Sequence, residues 1–240
     1  MASNLPHFNV VCEGPSDYFV IEAALAAILD NADFTLQQIQ PLASLYGGNV
    51  GPYGGGWKGV RAWCEATRRI WGSVGRSRKG IAGELLIIHL DADVADESEI
   101  DCAEVCPPAS ATVERLRTVL LGWMGDIAMP DWIIFCTPSK AVDAWVLVAL
   151  YPNDEWAKTG VECRAEPARH LLNKPEKLVR LRDERLQKNG GGYRRVGDII
   201  TRKWPSIQRP LCGSQQFRRR FPLQIAFSGI VNVSGCLGHQ

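Results

Sequence analysis

No apolar stretch of this 240-residue chain reaches the ~20 residues that a bilayer crossing needs, so no membrane partner is expected. The opening residues, MASNLPHFNV, lack a basic segment followed by an apolar one. No secretory signal is read there, and a cytoplasmic location is the expectation. The eight cysteines include no C-x-x-C pair, and the closest two, Cys102 and Cys106, have no His or further Cys nearby to complete a zinc site. Cys12 and Cys136 fall inside apolar runs, so reduced structural thiols are expected. The glycine-rich YGGNVGPYGGGWKG is not a Walker A loop, because Lys58 is followed by Gly59 rather than Ser or Thr. It reads instead as a connection over the rim of a site. From Phe221 to Gln240 there is no Lys, Arg, Asp or Glu, which leaves open a strand pair or a segment covered by another subunit.

What is present is ordinary in amount and uneven in placement. A hydrophobic fraction of 46% and a charged fraction of 22% suit a globular protein with one sizeable core. The net charge of +1 conceals two opposed halves. Residues 1–150 carry 10 Lys/Arg against 18 Asp/Glu, a net of −8, whereas 151–240 carry 17 against 8, a net of +9. An acidic half joined to a basic one fits a cation-binding region beside one that holds a polyanion; solvated helical faces would also produce it.

The first half alternates strand-like and helix-like segments. Residues 8–12 read as a strand, 16–29 as an apolar helix entered through Pro15-Ser16, 36–42 as a short strand and 57–71 as a helix. ELLIIHL (84–90) is the plainest buried strand; 108–124 follows as a helix, DWIIFCT (131–137) as a strand and SKAVDAWVLVAL (139–150) as an apolar helix. Such alternation predicts an α/β fold, a mostly parallel sheet with helices on its faces. Residues 151–240 read as a mainly helical, basic C-terminal region packed on it, with two or three polar helices broken by Gly and Pro.

The acids cluster at strand ends. Asp91 and Asp93 close the 84–90 strand two residues apart and so point to one face, where they repel unless a cation lies between them. Capping of the next helix would also place an Asp there. Glu13 ends the first strand, Asp17 follows it, and Asp143 is the single acid in an apolar helix. Ligands of open parallel sheets collect at the carboxyl ends of the strands, so these five carboxylates are expected at one rim. His89 lies in strand phase with Asp91 and reads equally as a core histidine.

Glu13-Gly14 in EGPSD, Asp91-x-Asp93, the start of a helix near Ser139 and the VDAWVL segment together resemble the Toprim domain of topoisomerases, primases and overcoming-lysogenization-defect nucleases. The likeness is closest to small Toprim-like proteins of bacterial defence loci. It covers about residues 8–150, with an echo in YRRVGDI and CGSQQFRRRF. It implies Mg²⁺- or Mn²⁺-dependent cleavage of a phosphodiester. On that resemblance Glu13 is a metal ligand or general acid/base, Asp91 and Asp93 are ligands, and Asp17 and Asp143 lie toward a second ion. Lys140 is then a group to stabilise charge on the phosphate.

Phosphodiester hydrolysis needs an activated water and stabilised oxyanions, which one or two divalent ions supply. Arg78, Lys79, Arg194, Arg195, Arg202, Lys203, Arg218 and Arg219, with Tyr193, Trp204 and Phe217 among them, are candidates for binding DNA or RNA. The leading expectation is a metal-dependent nuclease of phage defence or DNA processing. Two others remain. One is a nucleotide-sugar glycosyltransferase using D-x-D; the other is a non-catalytic subunit whose partner ATPase is supplied in trans. Homo-oligomerisation is left open.

Overall fold

The computed structural model describes residues 5–43, 49–74, 85–130 and 132–208. Strand β1 (His7–Val11) leads into helix α1 (Pro15–Ile28), which returns the chain to β2 (Thr35–Gln40). A two-residue ladder, β3 (Leu42–Ala43) with β4 (Asn49–Val50), precedes α2 (Gly56–Val74). Strand β5 (Leu85–His89) ends in a 3-10 turn over Ala92–Asp96, and α3 (Ser110–Trp123), β6 (Ile133–Cys136) and α4 (Val142–Leu150) follow.

The main sheet has the order β2-β1-β5-β6, and every pairing in it is parallel. The fold class is therefore α/β, a four-stranded parallel sheet flanked by helices. Alternation along β1, β5 and β6 sends side chains to both faces of the sheet, and both faces are covered, whereas the edge strand β2 is partly exposed. Phe8, Val10, Leu85, Ile87, Ile134 and Cys136 pack into one core cluster, whereas Val11, Leu86, Ile88, Ile133 and Phe135 pack into another. Helices α1 and α4 supply the first cluster, and α2 and α3 the second. A parallel sheet covered on both faces needs apolar side chains on both, which is why ELLIIHL reads as a continuous run.

The C-terminal half differs from its reading in one element. Short helices α5 (Glu155–Lys158) and α6 (Pro167–His170) are followed by an antiparallel hairpin, β7 (Val179–Arg182) with β8 (Arg185–Lys188), where polar helix was expected. Asp183 and Glu184 both have positive φ, 49° and 62°, as a two-residue hairpin turn of the mirror-image type demands. Leu, Arg, Glu and Lys are good helix formers, so composition pointed the other way. Helix α7 (Gly190–Gln208) then places Tyr193, Val196, Ile200, Trp204 and Ile207 in the same cluster as α1 and α4. Helices α1 and α7 pack against each other at Gly197, where a Cβ would make an ordinary contact with that of Ala23 at 4.0 Å.

The expectation of reduced thiols fails at one pair. Cys106 and Cys163 are joined as a disulfide across 57 residues of sequence, with Cα atoms 5.5 Å apart. Cys12, Cys64 and Cys136 are free and buried, as expected of small core side chains. The thiols at 212 and 236 and the uncharged end lie outside the described residues. Among the described residues, no helix is long and apolar enough to cross a membrane.

Candidate functional site

The connection order creates the cleft. From β1 the chain moves to β2 on one side, then returns through α2 to β5 on the other. The crossovers thus diverge between β1 and β5, the place where open parallel sheets bind ligands. Glu13 follows β1 and Asp91 follows β5, so both acids stand at this divergence.

They are interlocked. The Asp91 backbone amide donates to Glu13 Oε1 at 2.8 Å, and the Val142 amide donates to Asp91 Oδ1 at 3.0 Å. Helix α4 is preceded by Ala141, whose side chain cannot cap it, so Asp91 caps it from beyond the end of β5. The positive end of α4 thus faces this carboxylate. The Gly56 amide donates to the Glu13 carbonyl at 2.8 Å, which brings the glycine loop to the same rim. Gly56 itself needs the freedom of glycine, having φ +68°, and a Cβ on Gly59 would sit 2.8 Å from the Gly54 carbonyl oxygen.

His89 approaches Asp91 from below, its Nε2 3.1 Å from Oδ1 and its ring fully buried. The contact is an ion pair by distance, but it lacks hydrogen-bond alignment, and neither ring nitrogen has a hydrogen-bond partner. Burial opposes the charged ring, yet the Asp91 carboxylate outweighs it and raises the imidazole pKa. Burial also raises the Asp91 pKa, partly offset by His89 and Lys188. Glu13 is pushed well above the carboxylate range by burial, then by Asp91 and Asp17. Asp93 is exposed at the mouth; protein crowding and then Asp91 push it up to about 7. With solvent on one side, the Asp91 charge is the firmer of those two causes. Among the described residues, Glu13, His89 and Asp91 each present one ligand atom, all within 4.8 Å of one another.

The deeper acids have other partners. Asp143, fully buried, accepts from the Tyr193 hydroxyl at Oδ1, and its Oδ2 lies 2.7 Å from Lys188 Nζ. Asp17 Oδ1 is 3.6 Å from the same ammonium and also accepts from the Ser16 hydroxyl at 3.3 Å. Lys188 is exposed along its stem and enclosed at its tip: its side chain is 29% accessible, yet the carboxylates it touches are 0% and 4% accessible. Burial lowers the lysine pKa, but Asp143, Asp17 and Asp91 together hold it well above the usual value.

Of the residues named from sequence, the structure brings Glu13, Asp91 and Asp93 to one mouth, and sets Asp17 and Asp143 behind them on Lys188. Lys140 turns to Asp96, 3.4 Å away, and its carbonyl accepts the Asp93 amide at 3.0 Å, so it braces the 3-10 turn. The Ser139 hydroxyl donates to Glu162 at 2.6 Å. Arg194, Arg195, Arg202 and Lys203 are exposed on α7, the first two beside Tyr193 and the others roughly 12 Å along the helix. Tyr193 and Trp204 are core residues and offer no stacking surface. Arg78, Lys79, Arg218, Arg219 and Phe217 lie outside the described residues. Sequence reasoning missed Lys188 as a partner of the acids. Its only signal is a β8 position whose neighbour across the hairpin, Val179, is buried.

Compared with known proteins, the chain matches no family model, no curated protein and no solved structure. Fold and site therefore define a class alone: a parallel α/β protein with an acidic cleft at the divergence of its crossovers. Within that cleft a Glu/His/Asp group is arranged as a cation site would be.

Proposed function

We propose that this protein is a divalent-metal-dependent nuclease that hydrolyses phosphodiester bonds of DNA or RNA, with a Toprim-like catalytic centre at Glu13 and Asp91. The observation that carries the reading is the interlock of these two acids, 78 residues apart in sequence, through the Asp91 amide. Burial first, and then the Asp91 charge, raises the proton affinity of Glu13, so a carboxylate pair held this close is unfavourable without a counter-charge. A cation supplies one. The buried His89 ring, its Nε2 3.1 Å from Asp91 Oδ1, adds a nitrogen beside them. Glu13 and Asp91 would hold Mg²⁺ or Mn²⁺, with Asp93 at the mouth; a site that engages His89 as well suits Mn²⁺ better. The ion supplies Lewis-acid polarisation of a phosphoryl oxygen. The start of α4 orients Asp91 through the Val142 amide, and the Gly56 amide holds the Glu13 backbone carbonyl. Arg194 and Arg195, exposed where α7 starts, would give a polyanion its footing.

Labelled DNA and RNA incubated with Mg²⁺ or Mn²⁺ test the proposal, beside Glu13→Gln and Asp91→Asn. Asn keeps an oxygen for the Val142 amide, so loss of cutting in Asp91→Asn reports loss of charge. Cleavage that needs the metal and disappears in both variants is expected. Persistent cleavage in both would overturn the assignment of the centre. No cleavage of either polymer would favour a non-catalytic subunit, and binding of a nucleotide sugar would favour the glycosyltransferase. An Arg194/Arg195 double replacement should lower the salt dependence of nucleic-acid binding, by a slope of about 1 per lost phosphate contact.

A further inference from the structure

The deep acids already share a cation that the chain itself supplies. Asp143 accepts a hydrogen bond from Tyr193 at one oxygen, has the Lys188 ammonium 2.7 Å from the other in an ion pair without a hydrogen bond, and has no surface of its own. A divalent ion reaching it would have to displace an ammonium 2.7 Å away and shed most of its water first. Mg²⁺ gives up water reluctantly. Asp17, the other acid on that side, faces the same ammonium at 3.6 Å. The lysine is held there by rigid structure. It ends β8 opposite the buried Val179, and the next residue, Asn189, donates its amide to Leu178 at 2.7 Å and accepts the Gly192 amide at the start of α7. A charge fixed on such a frame loses little entropy when it stays in place.

We infer that the Lys188 ammonium stands where a second cation would otherwise lie, so that the cleft holds one divalent ion, at its Glu13–Asp91 mouth. This rests on the reading that those mouth acids bind a metal. In this arrangement Asp17 and Asp143 are counter-ions and not ligands.

Counting bound Mn²⁺ on the full chain, by spin resonance of the free ion and by calorimetry, separates the two claims. One ion per chain is expected for the natural protein. Two ions would overturn the inference alone; none would overturn the metal reading and the inference with it. In Lys188→Gln, with folding checked by circular dichroism, the freed carboxylates should admit a second, weaker ion. Lys188→Arg should remain at one. A folded Lys188→Gln that still binds a single ion would overturn the assignment of Lys188 to the second cation position. If Lys188→Gln does not fold, the count on the natural protein still decides. A lysine that served packing alone would leave the stoichiometry unchanged in both variants.

Discussion

The mouth and the floor of the cleft use the same side-chain chemistry for opposite ends. At the mouth, Glu13, Asp91 and Asp93 face one another with His89 beside Asp91; among the described residues no lysine or arginine is in direct contact with any of them, and burial is the first cause that raises their proton affinities. On the floor, Asp17 and Asp143 share Lys188, and Tyr193 completes the set. Carboxylates that are paired and hydrogen-bonded hold a fold together; carboxylates left to repel store unfavourable energy that a ligand can release. The difference teaches that the number of acids in a cleft does not give the number of metal ions.

The largest effect should come from breaking the floor. Asp143→Ala leaves the Lys188 ammonium with a distant partner in a buried place and should cost on the order of 3–5 kcal/mol of unfolding free energy. Urea denaturation measures it. Adding Lys188→Met to Asp143→Ala should recover part of the loss, and a fully additive double variant would contradict the pairing. Tyr193→Phe removes one hydrogen bond to that carboxylate and should cost about 1.5–3 kcal/mol in the same assay.

A cluster away from the cleft provides a control. Asp154 caps α5 through the Trp156 amide and meets Lys174 Nζ at 2.6 Å and His170 Nε2 at 3.0 Å. Partial burial opposes its charge, but Lys174 and His170 bring the pKa down to about 2. A carboxylate with a depressed pKa adds stability above its unfolded value near 4, and that stability is lost as the pH falls through about 2. Asp154→Asn should therefore cost about 1–2 kcal/mol at neutral pH, and the two proteins should converge near pH 2 in thermal unfolding.

The smallest change belongs to the mouth, and its sign is reversed. Glu13→Gln keeps an acceptor for the Asp91 amide and removes a repelling charge, so the metal-free protein should be unchanged or stabilised by up to ~1 kcal/mol. The same variant should bind Mn²⁺ at least ~10–100-fold more weakly, the range that loss of even an outer partner brings. A destabilised Glu13→Gln would mean that mouth and floor do not differ in the way described.

Much of the sheet was legible because its signals are local. In LLIIHLDAD an apolar run stops at two acids, and the run needs no knowledge of the rest of the chain to read as a buried strand. Glu13 and Asp91 were legible as rim residues for the same reason, once the strands were taken as parallel. The hairpin over Val179–Lys188 was not legible, because its residues are good helix formers and the turn depends on Asp183 and Glu184 adopting positive φ. The Cys106–Cys163 bond was hidden too, since a separation of 57 residues carries no spacing signature.

By itself the sequence determined the α/β class, the apolar strands and the acids at their ends, since these follow from hydrophobic periodicity and from residues adjacent in the chain. Only the tertiary structure decided which acids are free. The cation that Asp17 and Asp143 share comes from Lys188, on a hairpin 45 residues beyond Asp143, and a pairing of that kind is set by how α1, α4 and α7 pack together. Coulombic energy depends on distance in space and on burial, and neither is written in the order of residues.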